Sequence, residues 1–376
     1  MAAADLRNSV HTGAVVAVGN GAISTVEGNS NNAVRQHGRL LSGSCLAPLG
    51  RTGDGRTPGL PLSRRGLIRA GAGASLAALG LGVGAQTASA VATTKRFDLT
   101  QPSYDLFRSK DAHGARVQQR FAFDWVNKFL FVATKRSGSA ESAGDLCINK
   151  MDFDGNYISY MHLNGFGHGV AFAALPSGSG TELWIECAAN TNGCGTALTP
   201  IRYAANTSLG SPAASAAYRP ISGATEYTCS VDPVYRRVIV RYQSSSGKRI
   251  AVYPLSAFTT RSFGSPLVDF KQPTISGIPQ GYTLYGSYMY YLTGDPYPGD
   301  GTPIGVGNTY VSIDINTGTV KERPVLTKAG LTLHHREPEG LAIYQTDAGE
   351  ARLFIGFATG KEGDRRSSIF YKKALI

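Results

Sequence analysis

The segment Arg336-Glu337-Pro338-Glu339-Gly340-Leu341-Ala342-Ile343-Tyr344, followed by Arg352-Leu353-Phe354-Ile355-Gly356-Phe357, decides the fold. It reads as strand, turn, strand: a polar residue and a glycine open it, an alternating apolar run follows, and a second apolar run returns. The same shape recurs four times upstream. Gln119-Arg120-Phe121-Ala122-Phe123-Asp124 leads to Phe129-Leu130-Phe131-Val132-Ala133, and His168-Gly169-Val170-Ala171-Phe172 leads to Leu183-Trp184-Ile185-Glu186. Glu226-Tyr227-Thr228-Cys229-Ser230-Val231-Asp232 leads to Arg237-Val238-Ile239-Val240-Arg241-Tyr242, and Gln280-Gly281-Tyr282-Thr283-Leu284 to Tyr288-Met289-Tyr290-Tyr291-Leu292. Starts recur every roughly 50 to 60 residues, the period of propeller blades.

Most units carry a second half with hairpin signals. Cys147 to Asp152 enters the turn Asp154-Gly155-Asn156 and Tyr157 to Tyr160 leave it; Tyr310 to Asp314 enter Asn316-Thr317-Gly318; Arg249 to Tyr253 and Ser368 to Lys372 serve the third and fifth units. Four strands per unit make a blade, so the expected fold is all-β, a five-bladed β-propeller over residues 91–376. A β-sandwich is the structural runner-up, but it lacks the longer period. The spare segment Thr94-Lys95-Arg96-Phe97-Asp98-Leu99 is expected to complete the last blade and close the ring, because closure removes exposed sheet edges.

Composition agrees with a turn-rich β protein. The 376-residue chain has 46 Gly, 18 Tyr and 15 Phe, with only 17% charged residues. Its formal charge is +11, of which 8 Arg and 3 acids before Val91 account for +5. No dense Lys/Arg run accompanies the remainder, which argues against nucleic acid as a partner and leaves a mildly basic surface suited to an anionic polymer.

Ser63-Arg64-Arg65-Gly66-Leu67-Ile68-Arg69, the Ala/Gly/Leu-rich run Ala70 to about Gly84, and Thr87-Ala88-Ser89-Ala90 form a secretory leader over 63–90, of twin-arginine type, with cleavage after Ala90. The apolar run is short for a membrane anchor. Residues 1–62 are rich in Gly, Ser, Asn and Arg without periodicity and read as disordered, or as an extension upstream of a misplaced start. The expected location is secreted or cell-wall associated, as a monomer.

In a propeller the residue opening each inner strand falls on a common ring. Here those residues are Gln119, His168, Glu226, Gln280 and Glu339, all polar where an apolar core would want Val or Leu. With Tyr227, Tyr282 and Arg336 close by, they form a candidate ligand-binding funnel at one mouth of the channel. Tyr rings would stack on sugar faces and Arg336 would pair with phosphate or carboxylate. The bland alternative is that the polar groups pair with one another and with water to close the channel top. The glycines around His168, in Gly165-Phe166-Gly167-His168-Gly169, signal close backbone approach to a ligand or a neighbouring blade. His168, Glu226 and Glu339 are the catalytic candidates should the chain be an enzyme, a glycoside hydrolase or a polysaccharide lyase.

His334-His335 resembles half a metal site, and Asp152, Asp154 and Asn156 read as a hairpin turn rather than a calcium loop, so neither metal nor cofactor is expected. Cys187 and Cys194 flank a short polar loop and are expected to form a local disulfide, whereas Cys147 and Cys229 lie in apolar strand patterns as buried thiols.

Several segments together resemble secreted actinobacterial proteins labelled teichoic acid biosynthesis protein C, grouped with the platform propellers of staphylococcal phage receptor-binding proteins. They are Gly144-Asp145-Leu146-Cys147-Ile148, Gly165 to Val170, Leu183-Trp184-Ile185-Glu186, Arg336 to Leu341 and Gly363 to Tyr371. The resemblance spans about Arg96 to Ile376 and implies a five-bladed propeller and, for the phage members, recognition of wall teichoic acid. It carries no catalytic motif to transfer. Two functions stay open: an exported module that binds a cell-wall or extracellular glycopolymer at the channel mouth, and an enzyme using the same funnel.

Overall fold

The computed structural model describes residues 91–376 apart from 297–308 and 323–324, together with three strand segments near the amino terminus. Those segments, Ala14–Gly19, Ala22–Gly28 and Val34–Leu40, form an antiparallel sheet of their own. The twin-arginine leader and its cleavage site lie outside the described residues.

From Tyr104 onward the chain forms five sheets, each starting from an inner strand and ending in an outer one. The inner strands are Gln118–Asp124, Ala173–Ser177, Thr225–Asp232, Pro279–Tyr285 and Glu337–Gln345. Each is joined antiparallel to the next strand of its blade through the turns anticipated by the repeat. Inner strands of neighbouring blades lie against one another around a common axis. The fold is a five-bladed β-propeller.

Five apolar clusters fill the five interfaces between successive blades. Phe131, Ile148 and Leu163 of blade 1 pack on Phe172, Leu183 and Ile185 of blade 2. Trp184 of blade 2 packs on Tyr227, Val240 and Tyr253 of blade 3, and Ile239 and Val252 of blade 3 on Leu284 and Met289 of blade 4. Tyr290 and Leu292 meet Ile343 and Phe357 across the fourth interface, and Phe354 and Tyr344 meet Phe121 and Phe123 across the last. Because each sheet is covered on both faces, strands that a single-layer protein would alternate are buried at nearly every position: Gln118–Asp124 and Tyr288–Thr293 are buried throughout.

Closure of the ring differs from the expectation. The strand completing blade 5 is Tyr104–Asp111, which pairs antiparallel with Asp364–Lys372. The segment 94–99 instead binds the chain end: Arg96 and Ile376 exchange backbone hydrogen bonds of 2.9 and 2.8 Å, and Asp98 N–H donates to the Ala374 carbonyl at 2.9 Å. Length explains the outcome. A nine-residue outer edge, Asp364–Lys372, is matched by an eight-residue strand, while the shorter segment sinks Phe97 between blades 4 and 5, its N–H on the Tyr290 hydroxyl. Blade 2 also departs from four strands. It has three, and the chain leaving it adds Thr207–Gly210 in parallel to the outer strand of blade 1, Tyr157–Asn164.

The expected local disulfide does not form. Cys187 is a free, buried thiol. It lies opposite Ala197 in its hairpin and packs into the apolar interface between blades 1 and 2. Burial pushes its pKa up to about 12, as it does for Cys147. Asp152 caps the hairpin it opens, accepting from the Asp154 and Asn156 N–H groups at 3.0 and 2.8 Å.

Candidate functional site at the channel mouth

Four inner strands begin with a β-bulge, and the bulges fall on the residues that open the sequence units. Pairing skips Gln119 in blade 1, Glu226 and Tyr227 in blade 3, Gln280 in blade 4, and Glu339 with Gly340 in blade 5. A bulge leaves a residue unpaired and turns its side chain away from the alternation of its neighbours. In blade 2 the equivalent place is held by the loop ending at His168, just ahead of Ala173–Ser177. Gln119, His168, Gln280 and Glu339 retain only 6–7% exposure, and the Gln119 and Gln280 amides donate to the Gln118 and Gly294 carbonyls of their own blades at 3.3 and 2.8 Å.

His168 is held from two sides. Its Nδ1 lies 3.0 Å from Nζ of Lys135, the last residue of an otherwise apolar strand, Phe129–Lys135. Its loop is wrapped round the Glu186 carboxylate, which accepts the Gly169 N–H at 2.8 Å and the Gly195 N–H at 2.7 Å, and also bonds the His168 backbone. A Cβ on Gly167 would run into that carboxylate. The close approach signalled by the glycines is therefore to a side chain of the same blade. Lys135 also acts electrostatically on Glu186 and on Glu339, so a cation joins blades 1, 2 and 5 at the neck.

Burial, reinforced by Lys135, pushes the His168 pKa down to about 3, so the imidazole is neutral. Burial raises Glu339 well above the carboxylate range, and the neighbouring Glu337 charge adds to it. The sign for His168 follows from linkage: between pH 6.5 and about 3 the unfolded chain binds a proton that the folded chain refuses, so its contribution is lost as pH falls. Replacing His168 with Asn, which preserves an acceptor near Nδ1, is expected to reduce the stability lost between pH 7 and pH 5 by about 2 kcal/mol. Urea titrations of both proteins at the two pH values measure this difference; equal losses would contradict it.

The remaining sequence candidates have other surroundings. Glu226 adopts φ of 51° and forms an ion pair with Lys248 of its own blade, where Arg241 is a second cation. Tyr227 and Tyr282 are fully buried: Tyr227 donates to the Ile221 carbonyl, and the Tyr282 hydroxyl lies 2.8 Å from Thr228 Oγ1. Their rings belong to blade interfaces, which closes their faces to sugars. Arg336 is also buried, donating to the Ala329 and Thr327 carbonyls at 2.6 and 2.9 Å with its guanidinium over Phe357. His335 Nε2 lies 3.1 Å from Glu337, and His334 Nδ1 lies 3.2 Å from the Gly360 carbonyl. Glu337 was expected close to the ring from the sequence, whereas Lys135 and Glu186 were not. A charged residue ending a largely apolar run was the available signal for both.

Against known proteins, residues 117–371 match the family model described as the phage 5-bladed β-propeller receptor-binding platform domain. The chain belongs to this family. As a platform propeller it is similar to a Bacillus subtilis (strain 168) protein named as a major teichoic acid biosynthesis protein C, with 22% identity over 289 residues. That alignment takes in 73% of this chain and 63% of the relative, so the chain spans under two thirds of the relative's length. The tail fiber of Staphylococcus aureus phage P68 superposes with a TM-score of 0.60 at 17% identity, over 74% of this chain and 54% of the fiber chain. That likeness shows the shared propeller. An α-L-arabinofuranosidase of Lactobacillus brevis is more distant, with a TM-score of 0.39 at 9% identity over 69% of this chain and 92% of its own.

Proposed function

We propose that this platform propeller is an exported module, carried by its twin-arginine-type leader, that binds a cell-wall or extracellular glycopolymer at the channel mouth. One observation supports the reading: polar residues sit at the bulges that open the inner strands, and Lys135 lies 3.0 Å from His168 while acting electrostatically on Glu339. Amide, carboxyl, imidazole and ammonium groups set side by side supply the mixed donors and acceptors that hydroxyl-rich polymers need. The family description and the name of the Bacillus subtilis relative support a wall glycopolymer as the ligand class.

The test is retention of the protein on isolated bacterial walls before and after chemical removal of their glycopolymers. Retention is expected on intact walls only, and Glu339→Gln together with Lys135→Met should weaken it about tenfold, the effect of losing one hydrogen bond to a charged group. Equal retention on stripped walls would overturn the reading. A second reading, cleavage of a polysaccharide in the same mouth, is favoured by the raised pKa of Glu339. A carboxyl group whose hold on its proton is strengthened by burial is suited to general-acid work. Release of reducing ends or unsaturated sugars that ceases in Glu339→Gln would favour this reading over simple binding.

A further inference from the structure

Below the mouth, Arg120 crosses the channel from blade 1. It is fully buried. Nη2 donates to the Tyr282 carbonyl and lies 3.3 Å from Ser230 Oγ. Its stem lies against Gly340 and its Nη1 beside Gly281, the two bulge glycines of blades 5 and 4. From its own inner strand the side chain thus reaches those of blades 3, 4 and 5. Nε and Nη1 are buried without an acceptor among the described residues.

The charge is as isolated as the donors. The groups acting electrostatically on Arg120 are Tyr282 and Cys229, and no carboxylate is among them. Burial lowers its pKa to about 10, which leaves it cationic at neutral pH. Of the acids at the inner-strand bulges, Glu339 interacts with Glu337 and Lys135 instead, and Glu226 pairs with Lys248. A wholly buried cation without a counter-charge costs several kcal/mol, and a buried unsatisfied N–H costs about 1–3 kcal/mol more. Native proteins pair such charges.

We propose that the channel holds a small monovalent anion of the halide class against Nε and Nη1 of Arg120. The hydroxyls around the guanidinium suit this role. Ser230 Oγ lies 3.1 Å from Thr283 Oγ1, so blades 3 and 4 set two rotatable O–H groups at the same level. A water molecule would satisfy the two N–H groups but would leave the charge uncompensated, which is why an anion is favoured. The bulged residues keep slight exposure, whereas Arg120 has none, so this site is separate from the one proposed for the polymer. The anion would tie four blades at their centre, and this holds whatever the mouth binds.

Diffraction from crystals of the full chain soaked in sodium bromide, recorded at the bromine edge, tests the site directly. An anomalous peak at hydrogen-bonding distance from Nε and Nη1 is expected; bromide found only at the protein surface, or density there without anomalous signal, would overturn the proposal. In solution, replacing chloride with gluconate at constant ionic strength should lower the wild-type thermal midpoint by about 3 °C or more. Arg120→Met should show no such dependence on the identity of the anion. A wild-type midpoint equal in the two salts would also overturn the proposal. Should Arg120→Met fail to fold, the wild-type salt comparison and the bromide peak still decide it.

Discussion

Gly281→Ala is expected to destabilise the propeller by about 3–5 kcal/mol, lowering its thermal midpoint by about 10 °C. Gly281 sits in the blade 4 bulge with φ of 152°, a conformation that side chains rarely adopt. A Cβ there would lie 2.6 Å from Arg120 Nη1 and 2.8 Å from the Gly340 Cα. The second contact is with backbone of the neighbouring blade, so relief requires two inner strands to part at the axis. Gly349→Ala is the control. It has φ of 81° and nothing within 4 Å of the added methyl, so it isolates the backbone term, about 1 kcal/mol. Thermal and urea unfolding of the two variants measure the difference. Equal losses in both would show that the axial contact contributes nothing.

Glu186→Ala should cost about 3–5 kcal/mol and release the loop that presents His168. The carboxylate accepts from Gly169 and Gly195 and contacts the His168 backbone, and all of these are buried with it. Truncation leaves those N–H groups without an acceptor and leaves a hole that Gly167 cannot fill. Glu186→Gln is the discriminating variant. It keeps one acceptor oxygen and the shape of the side chain, and should cost about 1–2 kcal/mol. Urea unfolding measures both, and retention on walls reports whether His168 has moved. If Glu186→Ala unfolds like wild type but still loses wall binding, the carboxylate belongs to the ligand and not to the loop.

The architecture was legible because its cause is periodic. Polar-plus-glycine openings followed by apolar runs recur at Gln119, His168, Glu226, Gln280 and Glu339, and the structure brings a bulge or a loop to every one of them. The aromatic and cationic candidates fared differently. Tyr227, Tyr282 and Arg336 lie within a few residues of the ring, but a strand alternates its side chains between faces. In a propeller both faces of every blade are interior, so Tyr227 and Tyr282 pack into the interfaces with the preceding blades rather than facing water. Spacing along the chain cannot separate those two destinations.

The cysteines carry the same lesson. Six residues separate Cys187 from Cys194, and the polar loop they form invited a bridge. Hairpin register set Cys187 opposite Ala197, and its side chain took the apolar face. Register depends on pairing with a partner strand, which local composition does not encode.

What the sequence determined by itself was the number of blades and the place in each where a polar group interrupts the apolar pattern, because both follow from local chain chemistry repeated five times. Which side chains meet was decided only by closing the circle. Lys135, His168, Glu186 and Glu339 come from three blades, and Arg120 reaches across to strands more than a hundred residues away. Contacts across an axis depend on the geometry of closure, to which all five sheets contribute and which no single stretch of chain contains.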